Sequence, residues 1–175
     1  MASINASGLI IPAFHDVLGD IFARGHVHYW LHGGRGSTKS SFISLAIVLL
    51  VVNFPFANAV VVRRFGNTLR DSVYQQLLWA ISELGLDSYF RARLSPMEIT
   101  YLPTGQKIIF RGADDPLKLK GVKFPRGMLL WCGWKSSTSS RASRRCGPFS
   151  TLFGVAVMIS GASIRTTLRA RCGAG

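Results

Sequence analysis

Acidic residues are scarce in this 175-residue chain, which has 8 Asp and Glu against 21 Lys and Arg and a formal net charge of +13. A positive excess of this size favours a polyanionic partner such as nucleic acid. The scarcity is uneven, because all eight carboxylates lie between Asp16 and Asp115 and none follows Cys132. From Cys132 onward there are seven Lys and Arg. The composition therefore changes near residue 130.

Long hydrophobic runs are also missing. The longest one extends from Phe42 to Val52, about 11 residues, whereas a helix that spans a bilayer needs about 20. Asn53 and Pro55 close this run, so we expect a buried helix and no association with a membrane. The N-terminus lacks the charged and apolar regions of a secretory signal.

Cysteine is too sparse to define a metal site or a disulfide framework. The three cysteines are separated by 14 and 26 residues, which fits neither a C-x-x-C site nor an even set of disulfides. The composition is 48% hydrophobic and 17% charged, as in globular proteins, and the length suits one domain with a real core.

A glycine-rich turn, "GGRGSTKS" at 33–40, is the most informative motif. It follows a predicted strand, "VHYWL", and precedes "SSFISLAIVLLVVN", an apolar run of helical length. A strand, a turn of the type G-x-x-x-x-G-K-[ST] and a helix together are typical of a phosphate-binding loop. The alternative is a glycine-rich turn before a core helix, with Lys39 as an incidental surface residue.

Each residue of this turn has an expected role in binding ATP. The backbone N–H groups of the turn would surround the phosphates, and the helix N-terminus would add positive charge; this set is Gly33, Gly34, Arg35, Gly36, Ser37, Thr38, Lys39 and Ser40. Lys39 would reach the β- and γ-phosphates, and Ser40 would ligate Mg²⁺. Arg35 is either a solvated surface cation or an arginine finger. Thr38 replaces the second glycine, which costs free energy if the backbone there needs a positive φ.

The remaining pattern predicts alternating strands and helices. "NAVVVRR" predicts a buried strand, the segment from Asn67 to Gly85 predicts an amphipathic helix, and "EITYL" with "QKIIFRG" predicts a hairpin. "DDPLKLKGVKFP" is a basic loop, and "GMLLW" begins another strand. The order predicts an α/β fold with a mainly parallel sheet and crossover helices.

Taken together, "YWLHGGRGSTKSSFIS", "VVRRFGNTLRDSVYQQLLWAI" and "SPMEITYLPTGQKIIFRGADDPLKLKGVKFP" resemble the N-terminal ATPase domain of phage terminase large subunits of the PBSX type. The resemblance covers roughly residues 10 to 125. It implies a P-loop NTPase domain in which ATP hydrolysis drives double-stranded DNA into a procapsid. By matching positions, Lys39 and Arg35 would be catalytic, and the family's loop accepts Thr at position 38.

The resemblance also implies the partners and the location. These are phage DNA, a terminase small subunit, a portal protein and further copies of the chain on the portal, in the cytoplasm of a bacterial host. Three lysines of the basic loop are candidates for contact with DNA or for coupling, namely Lys118, Lys120 and Lys123. The family's C-terminal nuclease domain is expected to be absent.

The sequence departs from the family after Trp131. A motor of this kind needs an acidic pair after the next strand, with one residue for Mg²⁺ and one for the attacking water. The corresponding segment, "MLLWCGWKSSTSSRAS", has no carboxylate. If the third base of each codon is read with the first two of the next, Trp131–Cys132 must encode Val and Trp134–Lys135 must encode Glu. The same offset permits V-W-L-E-E-L-D-E-F, an acidic strand end. We therefore expect a frameshift between about Lys123 and Leu130.

This interpretation divides the chain into a partial ATPase domain, residues 1–130, incomplete at its C-terminal side, and a tail, residues 131–175, that is non-native, out of frame or disordered. Hydrolysis by such a fragment would be impaired. One alternative is a small non-enzymatic protein that binds DNA through a native basic tail. Another is a different P-loop ATPase, such as a helicase, or a small-molecule kinase.

Overall fold

The structure is a computed structural model that describes residues 8–26, 28–32, 36, 38–55, 57–63, 66–112, 128–135, 154–158 and 167–170. Its helices are α1 (His15–Ala23), α2 (Lys39–Asn53) and α3 (Gln75–Glu83). Its strands are β1 (His28–His32), β2 (Ala57–Arg63), β3 (Phe90–Leu94), β4 (Met97–Tyr101), β5 (Lys107–Gly112), β6 (Met128–Lys135), β7 (Gly154–Met158) and β8 (Thr167–Ala170). Short 3-10 turns are found at Pro12–Phe14, Gly66–Thr68 and Asp87–Tyr89, and a π-helical turn at Arg70–Tyr74.

The eight strands form one sheet in the order β3-β4-β5-β2-β6-β7-β1-β8. β2 is parallel to both β5 and β6, and β1 is parallel to β8. β7 lies between β6 and β1 and is antiparallel to both. The carboxyl ends of β1 and β2 therefore lie at the same edge of the sheet, where α2 and the π-helical turn begin.

The predicted α/β class is confirmed, but a mainly parallel sheet is not. Among the described strands three pairings are parallel and four are antiparallel, so the sheet is mixed. Two antiparallel pairings come from the β3-β4-β5 meander, in which short connections can only join antiparallel neighbours. The other two come from β7, a strand that the sequence pattern did not predict.

Helix α2 is the centre of the core, as the apolar run predicted. All ten residues from Phe42 to Val51 are buried, including the single polar one, Ser44. A helix that is apolar all round must be covered all round. α3 and β2 pack against it, and the Phe14 ring stacks on the Phe42 ring with 4.5 Å between centroids.

The amphipathic helix predicted from Asn67 to Gly85 is present, but its first part is irregular. Leu69, Leu77 and Ile81 are buried, as the apolar stripe predicted. Instead of an α-helix that begins at Asn67, the chain forms a 3-10 turn and then the π-helical turn before α3. The predicted end is confirmed, because Gly85 has φ of +66° and its N–H donates to the Ser82 carbonyl at 2.9 Å.

The predicted hairpin is confirmed as β4 and β5, and a buried glutamine attaches it to β2. The Gln106 side chain is 3% exposed, and its amide donates to the carbonyls of Phe54 and Ala57. The N–H of Lys107 donates to the Asn58 side chain at 2.9 Å. These bonds fix the register of the hairpin beside β2, whose first six residues are buried.

Candidate functional site

The glycine-rich turn connects β1 to α2 at the carboxyl edge of the sheet. β1 ends at His32 and α2 begins at Lys39, so strand, turn and helix follow one another as the motif predicted. Gly36 has φ of +80°, and a Cβ placed on it would meet no atom within 4 Å. Glycine is therefore favoured at this position by backbone conformation, not by lack of space.

Thr38 occupies the position where the general motif has its second glycine. Its φ is +51° and its ψ is +5°, which is the left-handed region. Its carbonyl accepts the N–H of Phe42 at 2.9 Å, but its side chain makes no capping hydrogen bond. The backbone at this position thus needs the positive φ that glycine supplies most easily, at a cost of about 1–2 kcal/mol for another residue.

Lys39 and Ser40 are the first two residues of α2, and both are partly exposed. The first N–H groups of a helix have no partner within the helix and carry partial positive charge. An anion at this end would meet those N–H groups, with a lysine ammonium and a serine hydroxyl on the same turn. The described start of α2 therefore offers donors that suit an anion such as a phosphate.

Several predicted site residues lie outside the described residues. In the turn these are Gly33, Gly34, Arg35 and Ser37. The basic loop is likewise outside, with Lys118, Lys120 and Lys123. Their roles, including the arginine finger and the contact with DNA, stay predictions.

A shallow depression of about 440 Å³, open to solvent, lies near the first turn of α2. Its lining consists of Asp71, Ser72, Gln75, Gln76 and Trp79. The Gln76 amide donates to the hydroxyl of Ser41 on α2 at 3.4 Å, which links the pocket to the residue after Ser40.

Arg63 ties the end of β2 to the turns that precede α3. Its guanidinium donates to the Thr68 carbonyl at 2.8 Å and also to the Ser72 hydroxyl. The Ser72 hydroxyl in turn donates to the Thr68 carbonyl at 2.6 Å. The N–H of Tyr74 reaches the Leu69 carbonyl at 3.0 Å, the bond of a π-helical turn.

A second polar cluster lies at the opposite end of β1. The Asp20 carboxylate accepts the Tyr29 hydroxyl at 2.7 Å and lies 2.6 Å from Nδ1 of His26. Burial of the Asp20 carboxylate would raise its pKa, but the hydrogen bonds from His26 and Tyr29 outweigh burial and lower the pKa. Burial, together with the bond to Asp20, raises the pKa of Tyr29. A Cβ at Gly25 would collide with the Asp20 carboxylate, so the cluster needs that glycine.

Tyr29 and Trp30 of β1 precede the turn. Tyr29 is 3% exposed and belongs to the core. Its hydroxyl contacts the Asp20 cluster, so Tyr29 helps to anchor β1.

The described residues contain no metal-ligand cluster of three or more His, Cys, Asp or Glu. Among them there is also no helix long and apolar enough to cross a membrane. β6 contains no Asp or Glu between Met128 and Lys135, so this strand presents no carboxylate for a metal or for an attacking water.

Comparisons with known proteins identify relatives of the N-terminal part of the chain. Residues 26–133 match the family described as phage terminase large subunit. The chain is 40% identical over 123 residues to the terminase large subunit of Bacillus phage SPP1, which covers 70% of this chain and 29% of that protein. It is 35% identical over 113 residues to the PBSX phage terminase large subunit of Bacillus subtilis (strain 168), over 65% of this chain and 25% of that protein.

The resemblance that the sequence motifs predicted is thus confirmed. The aligned part of this chain spans less than a third of either relative's length.

Proposed function

The chain belongs to the phage terminase large subunit family, and on this basis we propose that it is the ATP-binding part of a viral DNA-packaging motor. The observation that carries the proposal is the turn between β1 and α2. Gly36 and Thr38 both have positive φ there, and Lys39 and Ser40 open the helix that follows. Its substrate would be ATP with Mg²⁺, and Ser40 would contact the metal.

The proposed partners follow from the family and from charge. They are double-stranded phage DNA, a terminase small subunit, a portal protein and other copies of the chain on the portal, in the cytoplasm of a bacterial host. Residues 1–131 carry 14 Lys and Arg (21 minus the seven that follow Trp131) and 8 Asp and Glu, a modest excess. DNA would therefore be held by a localised set of cations such as the basic loop.

Hydrolysis by this chain should be slow even if ATP binds. Phosphoryl transfer to water needs a group that orients the water, and β6 carries no carboxylate that could do so. We propose that the chain binds ATP and turns over little of it.

The test is equilibrium binding of a fluorescent ATP analogue with Mg²⁺, together with steady-state phosphate release. Lys39→Ala should abolish binding, because the cation that faces the β- and γ-phosphates is lost. Arg91→Ala is the matched control, since Arg91 is an exposed cation on β3, the strand at the far edge of the sheet from β1. Ready phosphate release that Lys39→Ala eliminates would contradict the proposed slow hydrolysis. Equal binding by wild type and Lys39→Ala would contradict the site itself.

A second candidate function is DNA binding by the tail alone, favoured by its seven Lys and Arg and lack of carboxylates. Deleting the tail is not a clean test, because β7 and β8 both pair with β1. Replacing Arg141, Arg144 and Arg145 by Ser removes charge and leaves those strands intact. Loss of all DNA affinity would favour the tail, whereas retained affinity would favour the ATPase domain.

The origin of the tail is a separate question with a direct test. We propose that a frameshift between about Lys123 and Leu130 replaced an acidic strand end. Resequencing the coding DNA from codon 115 to beyond the stop would reveal a long second frame that begins V-W-L-E-E. If that frame closes quickly, the basic tail is native.

A further inference from the structure

The pocket next to α2 lies at the edge of the sheet that carries the glycine-rich turn. Gln76, one of its lining residues, follows the π-helical turn, and Ser41 is in the first turn of α2. The side chains of Gln76 and Ser41 form a hydrogen bond that joins α3 to α2. α3 also packs against α2, and its residues Leu77 and Ile81 are buried in the core.

The segment that presents Gln76 is held firmly from two sides. Arg63 binds both the Thr68 carbonyl and the Ser72 hydroxyl, which fixes the start of the segment to the end of β2. The buried Tyr74 ring packs edge-on against Phe110 of β5, with 5.2 Å between ring centroids. Gln76 therefore follows a segment whose position is fixed by these contacts. π-helical turns such as this one are frequent at functional sites.

The direction of the hydrogen bond matters for the chemistry of the turn. The Gln76 amide donates and the Ser41 oxygen accepts, so the Ser41 hydrogen remains available to an acceptor elsewhere. The separation between the Gln76 nitrogen and the Ser41 oxygen is 3.4 Å, at the long end for a hydrogen bond. A glutamine, which is neutral, can make this contact without adding negative charge close to bound phosphates.

We propose that Gln76 is a positioning residue of the nucleotide site, which sets the first turn of α2 through Ser41 and thereby aims the Ser40 hydroxyl at Mg²⁺. The inference rests on the proposed function, since it assumes that Mg²⁺ and ATP bind at this turn. Its specific consequence is that Gln76 controls how much Mg²⁺ strengthens the binding of ATP. If Gln76 contributed only to stability, the ratio of the ATP affinities with and without Mg²⁺ would be the same in wild type and in a Gln76 variant.

The experiment measures the affinity of the full chain for a fluorescent ATP analogue with Mg²⁺ and with EDTA. The measured quantity is the affinity with Mg²⁺ divided by the affinity with EDTA. Gln76→Ala should lower this ratio about threefold to tenfold, which is the effect expected from the loss of one net hydrogen bond. Gln76→Glu should lower both affinities, because a carboxylate makes Ser41 donate and repels the phosphates. Gln75→Ala is the matched control, as Gln75 is exposed, lines the same pocket and neighbours Gln76 in sequence.

The outcomes separate the inference from the proposed function. If wild type binds the analogue and Lys39→Ala does not, but Gln76→Ala keeps the wild-type ratio, the inference is wrong and the ATP site stands. An equal loss in Gln75→Ala would also overturn it. If wild type does not bind the analogue at all, the proposed function fails and the inference fails with it. A Ser41→Ala variant with the same loss as Gln76→Ala, and no further loss in the double variant, would support the coupling.

Discussion

At the scale of single residues, Thr38 differs from the glycine of the motif consensus, yet the backbone at this position still has a positive φ. The general phosphate-loop pattern has glycine there because the chain needs a positive φ, and Thr38 has φ of +51°. A β-branched residue in that region is strained. The strain is tolerated because the helix that follows is buried from Phe42 to Val51, so its packing outweighs the strain at one residue.

Replacing Thr38 by Gly should therefore stabilise the chain in the absence of nucleotide. We expect the free energy of unfolding to rise by about 1 kcal/mol, since relief of the left-handed strain exceeds the added chain entropy of glycine. Urea denaturation measures it. Thr100→Gly in β4 is the matched control and should destabilise the chain by about 0.5–1 kcal/mol, the cost of glycine inside a strand. A Thr38→Gly chain less stable than wild type would mean that the left-handed conformation is not strained.

The residues of the turn also show what sequence alone can supply for a site. The order strand, glycine-rich turn, helix was predictable because glycine and lysine have specific tasks in binding phosphate. The link from Gln76 to Ser41 was not predictable, because it joins residues 35 positions apart whose meeting depends on how two helices pack. The same holds for Arg63, whose partners are set by the π-helical turn.

At the scale of elements, the cluster of Asp20, His26 and Tyr29 joins the end of α1 to the start of β1. These contacts hold the start of β1 against α1, at the end of β1 opposite the glycine-rich turn. Asp20 is ionised more easily in the folded chain than in the unfolded one, because its hydrogen bonds to His26 and Tyr29 outweigh the effect of burial.

This difference predicts an acid-dependent loss of stability. A pKa lowered below the ordinary 3.8 stabilises the folded chain above that value, and this contribution disappears as the pH falls through the folded-state pKa. Asp20→Asn should therefore flatten the decline in the free energy of unfolding between about pH 5 and about pH 3. The exposed Asp87→Asn is the control and should keep the wild-type slope. If the free energy of unfolding fell equally steeply with pH in wild type and in Asp20→Asn, the predicted contribution of this carboxylate would be wrong.

Elements with strong periodicity were predicted well, whereas α1, β3, β7 and β8 were not predicted. α2, β1, β2 and the β4-β5 hairpin follow from apolar runs, alternation and a turn signal. β3 was missed because it has no buried residue to mark one face. The mainly parallel sheet was expected from the alternation of strands and helices, but the meander and β7 added antiparallel pairings that local patterns do not reveal.

At the scale of the whole molecule, the position of β1 depends on strands from the end of the chain. In the described part of the sheet, β1 pairs with β7 on one side and β8 on the other, and not directly with β2, β5 or β6. Among the described strands, β7 alone links β1 to the rest of the sheet, and it runs antiparallel between two strands of the same direction. The strand that leads into the glycine-rich turn is therefore attached through residues 154–158.

A chain that ends at Lys135 should consequently lose stability and associate. Both edges of β1 would then present unpaired N–H and C=O groups, and such edges recruit other chains. We expect concentration-dependent assembly by sedimentation, a lower urea midpoint and weaker binding of the ATP analogue. The control is a chain that ends at Ala170, which retains β7 and β8 and should match wild type in all three measurements. If the shorter chain instead remains a monomer with wild-type stability, the packing of α2 against α3 and β2 holds β1 in place. In that case residues 136–175 contribute nothing to the fold that carries the proposed ATP site.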